Sequence, residues 1–264
     1  MASVIDRPVS ARVGNERFFL GAAIAMTIVI VAGFSNQFAA GRSTFYSPPL
    51  VHAHAIIFMG WVMIYLAQNF LVATDRMAIH RRLGWLAAGW MVPMIVLGFA
   101  VTVAMVRRGQ VPFFFQPLHF LLFDPLSVLT FAGLTSAAIV QRHRTEWHRR
   151  LHLCGMATLM GPGFGRLLPM PLLQPWAWEI SFAAGLLFPI AGVIADVRRS
   201  GRVHPAWRWG IAAMLGGFAL IEAITYSGVG QALYSVVTAD SPGAAVPPLE
   251  FADPPEGPLM TGRG

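Results

Sequence analysis

Apolar residues in this chain come in blocks of roughly 20, separated by short segments that hold most of the charge. The blocks fall at about 17–38, 48–73, 82–106, 118–141, 150–168, 176–197 and 208–235. Each can cross a bilayer core of about 30 Å as helix, at about 1.5 Å per residue. The pattern therefore predicts an all-α polytopic membrane helix bundle of about seven transmembrane helices. Residues 1–16 precede it as a cytoplasmic segment, 17–235 form the bundle, and 236–264 follow as a tail. The fifth block ends in "GPGFGRLLPMPLLQP", too rich in Gly and Pro for continuous helix, so an irregular outer loop is expected there. The tail is Pro/Gly-rich, acidic and without periodicity, and is expected to be disordered.

Composition agrees. Hydrophobic residues make up 56% of the chain and charged ones 12%, against about 25% charged in soluble domains. All 19 basic residues are arginine, which suits a GC-rich bacterial genome. Fourteen arginines fall on one set of ends and loops: Arg7, Arg12, Arg17, Arg76, Arg81, Arg82, Arg142, Arg144, Arg149, Arg150, Arg198, Arg199, Arg202 and Arg208. Five fall on the other: Arg42, Arg107, Arg108, Arg166 and Arg263. The positive-inside rule then puts the N-terminus in the cytoplasm and the C-terminus in the periplasm of a bacterial inner membrane. The net charge of +7 does not point to nucleic acid, because these arginines sit in short loops and form no basic domain. The single cysteine, Cys154, excludes an internal disulfide and any Cys-based metal site. The first block lacks a cleavage site and reads as a retained span.

Two stretches resemble each other. "PPLVHAHAIIF…DRMAIHRRLGWL" and "QPLHFLLF…RTEWHRRLHLCG" both open with proline and histidine at the outer end of a span. Both close with His-Arg-Arg-Leu at the inner start of the next. The spacings, His52 to His80 and His119 to His148, differ by one residue. This reads as a tandem duplication of a two-helix hairpin over spans two to five. It sets His52, His54 and His119 at the outer level, and His80, His148 and His152 at the inner level, about 25–30 Å away.

His52 and His54 lie about 200° apart on a helix and cannot serve one metal together. His54 shares its stripe with Phe58, Trp61, Tyr65 and Gln68 and is expected inside the bundle. His52 goes with Ile56, Met59 and Met63, toward lipid or headgroups. His148 and His152, at i and i+4, share a face and can ligate one metal or supply an axial ligand; an ordinary interfacial pair is the plainer alternative. Two starts are open for the fourth helix. If Asp124-Pro125 is its cap, His119 lies on an interfacial segment instead of in the bundle. Glu222 reads as near the middle of the seventh span, with Tyr226 one turn on. A carboxylate there must be paired, protonated or facing a cavity, which makes the two candidates for proton handling. Glu179 and Asp196 lie near span ends and carry no special expectation.

"VHAHAIIFMGWV", "IHRRLGWL" and "WHRRLHLCGM…GPGFGRLLPMP" resemble a group of uncharacterised bacterial seven-span membrane proteins, over about residues 48–210. The chain is also similar, more weakly, to the di-haem transmembrane cytochromes b of the ascorbate type, where four central helices each give a histidine. "HAHAIIFMGW" resembles the haem-ligating helix of oxidase-type subunits. The cytochrome likeness implies haem b held by His54 with His119, and by His80 with His148 or His152. It also implies electron transfer across the bilayer to quinone or another redox partner.

That redox role is the leading expectation. The alternatives are a small-solute or proton-coupled transporter or binding protein using Glu222, a non-haem metal enzyme using the inner histidines, and an accessory subunit of a membrane complex.

Overall fold

The computed structural model describes residues 9–43 and 45–257, with side chains from residue 16 onward. Nine α-helices occur among them: α1 Val9–Ala39, α2 Pro49–Ala73, α3 Met77–Arg107, α4 Pro117–Val140, α5 Thr145–Thr158, α6 Gly161–Leu167, α7 Ala177–Ser200, α8 Pro205–Thr225 and α9 Gly228–Thr238. Six are long and apolar enough to cross a membrane: α1 from Glu16, α2, α3, α4, α7 and α8. The protein is a multi-pass helical bundle. Arg7 and the tail beyond residue 257 lie outside the described residues.

The fifth crossing is made in two pieces. At the inner end, the guanidinium of Arg149 lies 5.0 Å from the ring centre of Phe19, near the start of the α1 span. At the outer end of the same pair, Asn36 Nδ2 donates to the Arg166 carbonyl at 3.3 Å. From Phe19 to Asn36 is about 25 Å of helix, so α5 and α6 together run beside α1 over the length of a membrane-spanning helix. The break falls at Leu159 and Met160, just before Gly161-Pro162. Proline cannot supply the next helical N–H but suits the first turn of a new helix. Glycine then lets α6 sit tightly on α1. A Cβ on Gly33 would overlap the Gly163 carbonyl, and one on Gly163 would press on Ile30, the close small-residue crossing that membrane helices use.

The core is built around α5, whose Leu153, Cys154 and Met156 are buried against Phe131 of α4 and Trp207 and Met214 of α8. Trp61 and Tyr65 of α2 close it from one side, Met26 of α1 from another. Large apolar residues such as Ile56, Val92, Leu129, Leu187 and Trp209 remain exposed on the outside, where lipid would cover them.

The fourth helix keeps the start expected near residue 118, whereas the seventh block needs correction. The fourth helix starts at Pro117, with Pro125 inside it. Gln116-Pro117 offers the same proline-at-the-first-turn signal as Asp124-Pro125, and burial of Leu118 to Phe123 favours the earlier start. His119 is therefore a buried helical residue. The seventh apolar block is not one helix. It breaks at Tyr226 and Ser227, where Ser227 Oγ accepts from Gly230 N at 3.2 Å and caps α9. Glu222 thus lies in the last turn of α8, not mid-span.

The tail is ordered to residue 257 rather than loose from 236. Leu118 N, one of the first-turn donors that a helix leaves unpaired, donates to Pro248 O at 2.8 Å. Gln116 Nε2 donates to Leu249 O at 2.7 Å. Tyr234 Oη donates to the carbonyls of Gly243 and Val246 at 3.1 and 3.2 Å. The segment lies over the outer ends of α3 and α4, held by donors that composition does not reveal.

Candidate functional site

Polar groups gather at three depths. The outermost group joins three helix ends. His119 sits in the first turn of α4, Glu179 in the first turn of α7, and Glu222 in the last turn of α8. One ligand-capable atom from each lies within 4.8 Å of the other two, the one such group of three among the described residues. His119 Nε2 is 3.1 Å from Glu222 Oε1. The imidazole is 5% exposed and packed edge-on against Phe123 and Trp178. Tyr226 closes the outer side: its Oη donates to Gln116 Oε1 at 3.1 Å, and its ring lies 6.2 Å from that of His119. Burial and the nearby Glu222 and Glu179 carboxylates raise the pKa of Tyr226, keeping its phenol protonated.

The two carboxylates need a counter-charge. At 4.8 Å and an effective dielectric of about 20, two full negative charges repel by about 3.5 kcal/mol. Glu179 Oε2 is buried without a hydrogen-bond partner. A proton or a cation between the carboxylates relieves both problems.

The middle layer was missed in the sequence. Asp124 lies five residues beyond His119 on α4, about 7.5 Å deeper. Its carboxyl faces the guanidinium charge of Arg166 from α6, while the hydroxyl of nearby Thr102 on α3 donates to the Gly98 carbonyl at 2.9 Å. Arg166 also stands over Phe34 at 4.0 Å, and its charge reaches His54. His54 stacks on Phe58, ring centres 4.2 Å apart, while Trp61 and Tyr65 on the same stripe are buried. His52 turns away and donates from Nε2 to Phe45 O at 3.1 Å, beside exposed Ile56 and Met63. Opposite charges within apolar blocks were the available signal for Asp124 and Arg166, since a buried ion needs a partner.

The inner layer holds His80, His148 and His152. His80 and His148 are each the fourth residue of their helices, α3 and α5. Their rings lie 6.3 Å apart and perpendicular; those of His148 and His152 lie 4.7 Å apart. His148 Nδ1 donates to Ala138 O at 2.8 Å, and His80 Nδ1 is buried without a partner.

Beside these histidines lies a second inner-end network with another character. Arg150, 3% exposed, donates from Nε to Asp196 Oδ2 at 2.8 Å and from Nη2 to Asp196 Oδ1 at 2.7 Å. Trp207 Nε1 donates to the same Oδ2 at 2.8 Å, and Glu146 pairs with both Arg149 and Arg150. This network ties α5, α7 and α8 together. Burial opposes ionisation of Glu146, but the two guanidiniums outweigh it and hold its carboxyl at about 2.

The residues do not fit an outer haem as arranged. The Nε2 of His119 is engaged by Glu222, and Phe123 and Trp178 pack against its ring. The inner histidines retain free ring nitrogens, Nε2 of His148 and Nδ1 of His80.

No family model, curated protein or solved structure matches the chain.

Proposed function

We propose that this protein is a proton-coupled membrane transporter or binding protein that works through Glu222. The observation that carries the reading is the His119–Glu222 contact between α4 and α8. The partner of Glu222 is an imidazole, a side chain able both to accept and to donate a proton, and the contact joins two helices at their ends. The pair sits in the end turns of its helices, close to an aqueous face. Asp124, Arg166 and His54 continue the series of ionisable groups inward, and His80, His148 and His152 complete it. Such series mark proton paths in membrane proteins.

The test is proton flux into proteoliposomes carrying a pH-sensitive dye. Under an imposed pH gradient, wild-type protein should speed its decay above that of empty vesicles, and Glu222→Gln should remove the excess. Equal decay for wild type and Glu222→Gln would overturn the reading.

A second reading, transmembrane electron transfer with haem b, is supported by the inner layer alone. His80 and His148 would hold the haem from α3 and α5, with His152 beside them, and the haem would supply one-electron redox chemistry for a quinone or other partner. A Soret band that disappears in His80→Ala and His148→Ala but persists in His119→Asn is expected. No Soret band after expression with haem available would sink it.

A further inference from the structure

We propose that His119, Glu179 and Glu222 form an extracytoplasmic site for a first-row divalent transition metal of the zinc class. The proposal deepens the reading of Glu222 given above, by naming the cation that meets it.

The donor set is one imidazole and two carboxylates, converging from three helices with their ligand atoms within 4.8 Å of one another. Mixed nitrogen and oxygen donors of this kind suit Zn²⁺, Mn²⁺ or Fe²⁺, whereas Mg²⁺ and Ca²⁺ favour all-oxygen shells. Three protein ligands leave one tetrahedral position for water or a transported anion.

Two features go beyond proximity. Glu179 Oε2 is buried with no hydrogen-bond partner, so an acceptor oxygen is held out of water with nothing to accept from. The surroundings also fix the ligands. Trp178, next in sequence to Glu179, packs on the His119 ring with centres 5.1 Å apart, and the Tyr226–Gln116 bond spans the outer side. Packing that locks a histidine ring before metal arrives is what a preorganised site requires. Full occupancy would place a double positive charge between two carboxylates that otherwise repel. The site needs no conformational change beyond a sub-ångström contraction toward bonds of about 2.0–2.2 Å.

The experiment is direct binding of zinc to purified full-length protein in detergent micelles, by competition with a chromogenic zinc indicator. One tight zinc ion per chain is expected at the outer group, with affinity lowered at least tenfold by each of Glu179→Gln, Glu222→Gln and His119→Asn. The two glutamine variants preserve shape, so a weakened site in protein that stays monodisperse reports on ligation and not on folding. Co²⁺ supplies an independent readout: its visible d–d bands should shift in His119→Asn. His80→Ala with His148→Ala should leave the outer ion in place. Wild-type zinc affinity in all three outer variants, or loss of the ion only in the inner double variant, would overturn the proposal. Binding without proton flux would sink the transport reading alone; flux without binding would sink this one alone.

Discussion

Replacing Asp196 with asparagine should weaken the inner end of the bundle by about 3 kcal/mol. Removing one partner of a buried ion pair costs about 3–5 kcal/mol, because the other charge is left without compensation. Arg150 would lose the opposing charge and one of its two short bonds, and would share the remaining amide oxygen with Trp207. Glu146 still pairs with Arg150, which places the cost at the low end of that range. Cys154 provides the assay. It is the sole cysteine, fully buried one turn beyond Arg150, and a Cβ on Gly210 of α8 would overlap its sulfur. A maleimide can reach it only when α5 and α8 separate, so the labelling rate tracks the open population when opening and closing are fast. Every 1.4 kcal/mol is tenfold, so Asp196→Asn should label roughly a hundredfold faster than wild type in the same micelle. The double variant Arg150→Met with Asp196→Leu should label at close to the wild-type rate, since matched apolar residues can replace a buried pair. Wild-type labelling in Asp196→Asn, or a double variant as fast as the single one, would refute the reasoning.

Acid should also loosen this end. The Glu146 carboxyl is held at about 2, against an ordinary value of 4.5. A depressed folded value means its contribution is present above pH 4.5 and is lost as pH falls toward 2, so Cys154 labelling should accelerate across that window and do so less in Glu146→Gln. Gly192→Ala and Gly210→Ala should each destabilise by about 1–3 kcal/mol through overpacking, since a Cβ there would overlap Trp207 or Cys154. Gly89→Ala, with open space, should be near neutral in the same thermal unfolding series. Alkaline phosphatase fused after residue 257 should be active and a fusion at Gly201 inactive, as the arginine distribution requires; the reverse pattern would invert the topology.

The bundle was legible because lipid imposes it: a block of about 20 apolar residues has few other uses. What the blocks conceal is where a helix stops inside them. Gly161-Pro162 announced its break, though the residues that follow form α6 where an irregular loop was expected; the block containing Tyr226 and Ser227 runs on through "GVGQALYSVV" without a change in hydropathy, and so Glu222 read as a mid-membrane carboxylate when it lies in an end turn. His119 and Glu222 were each visible as unusual residues. Their contact, 103 residues apart in sequence, was not. Glu179 and Asp196 were passed over for a related reason. A carboxylate near a span end needs no partner on grounds of solvation, so nothing in its neighbours shows that α4 and α8, or α5 and α8, bring one.

The duplicated hairpin and the two carboxylate networks together separate structural chemistry from chemistry able to change state. His80 and His148 occupy the same position in α3 and α5 and face each other, as tandem copies of one hairpin would if packed side by side. At the outer end the copies diverge. His52, the counterpart of His119 in the repeat, is the fourth residue of α2 and bonds to the Phe45 carbonyl, whereas His119 is the third residue of α4 and meets Glu222. The His119 copy is the one that meets a carboxylate from α8, a helix outside the repeat, with a second from α7 beside it. A bidentate ion pair is meanwhile formed by Arg150 and Asp196 at the opposite end. The fold thus places a buried ion pair at the arginine-rich end and a histidine with two carboxylates at the other, and it is this second group that the proposed uptake of a cation or proton would use.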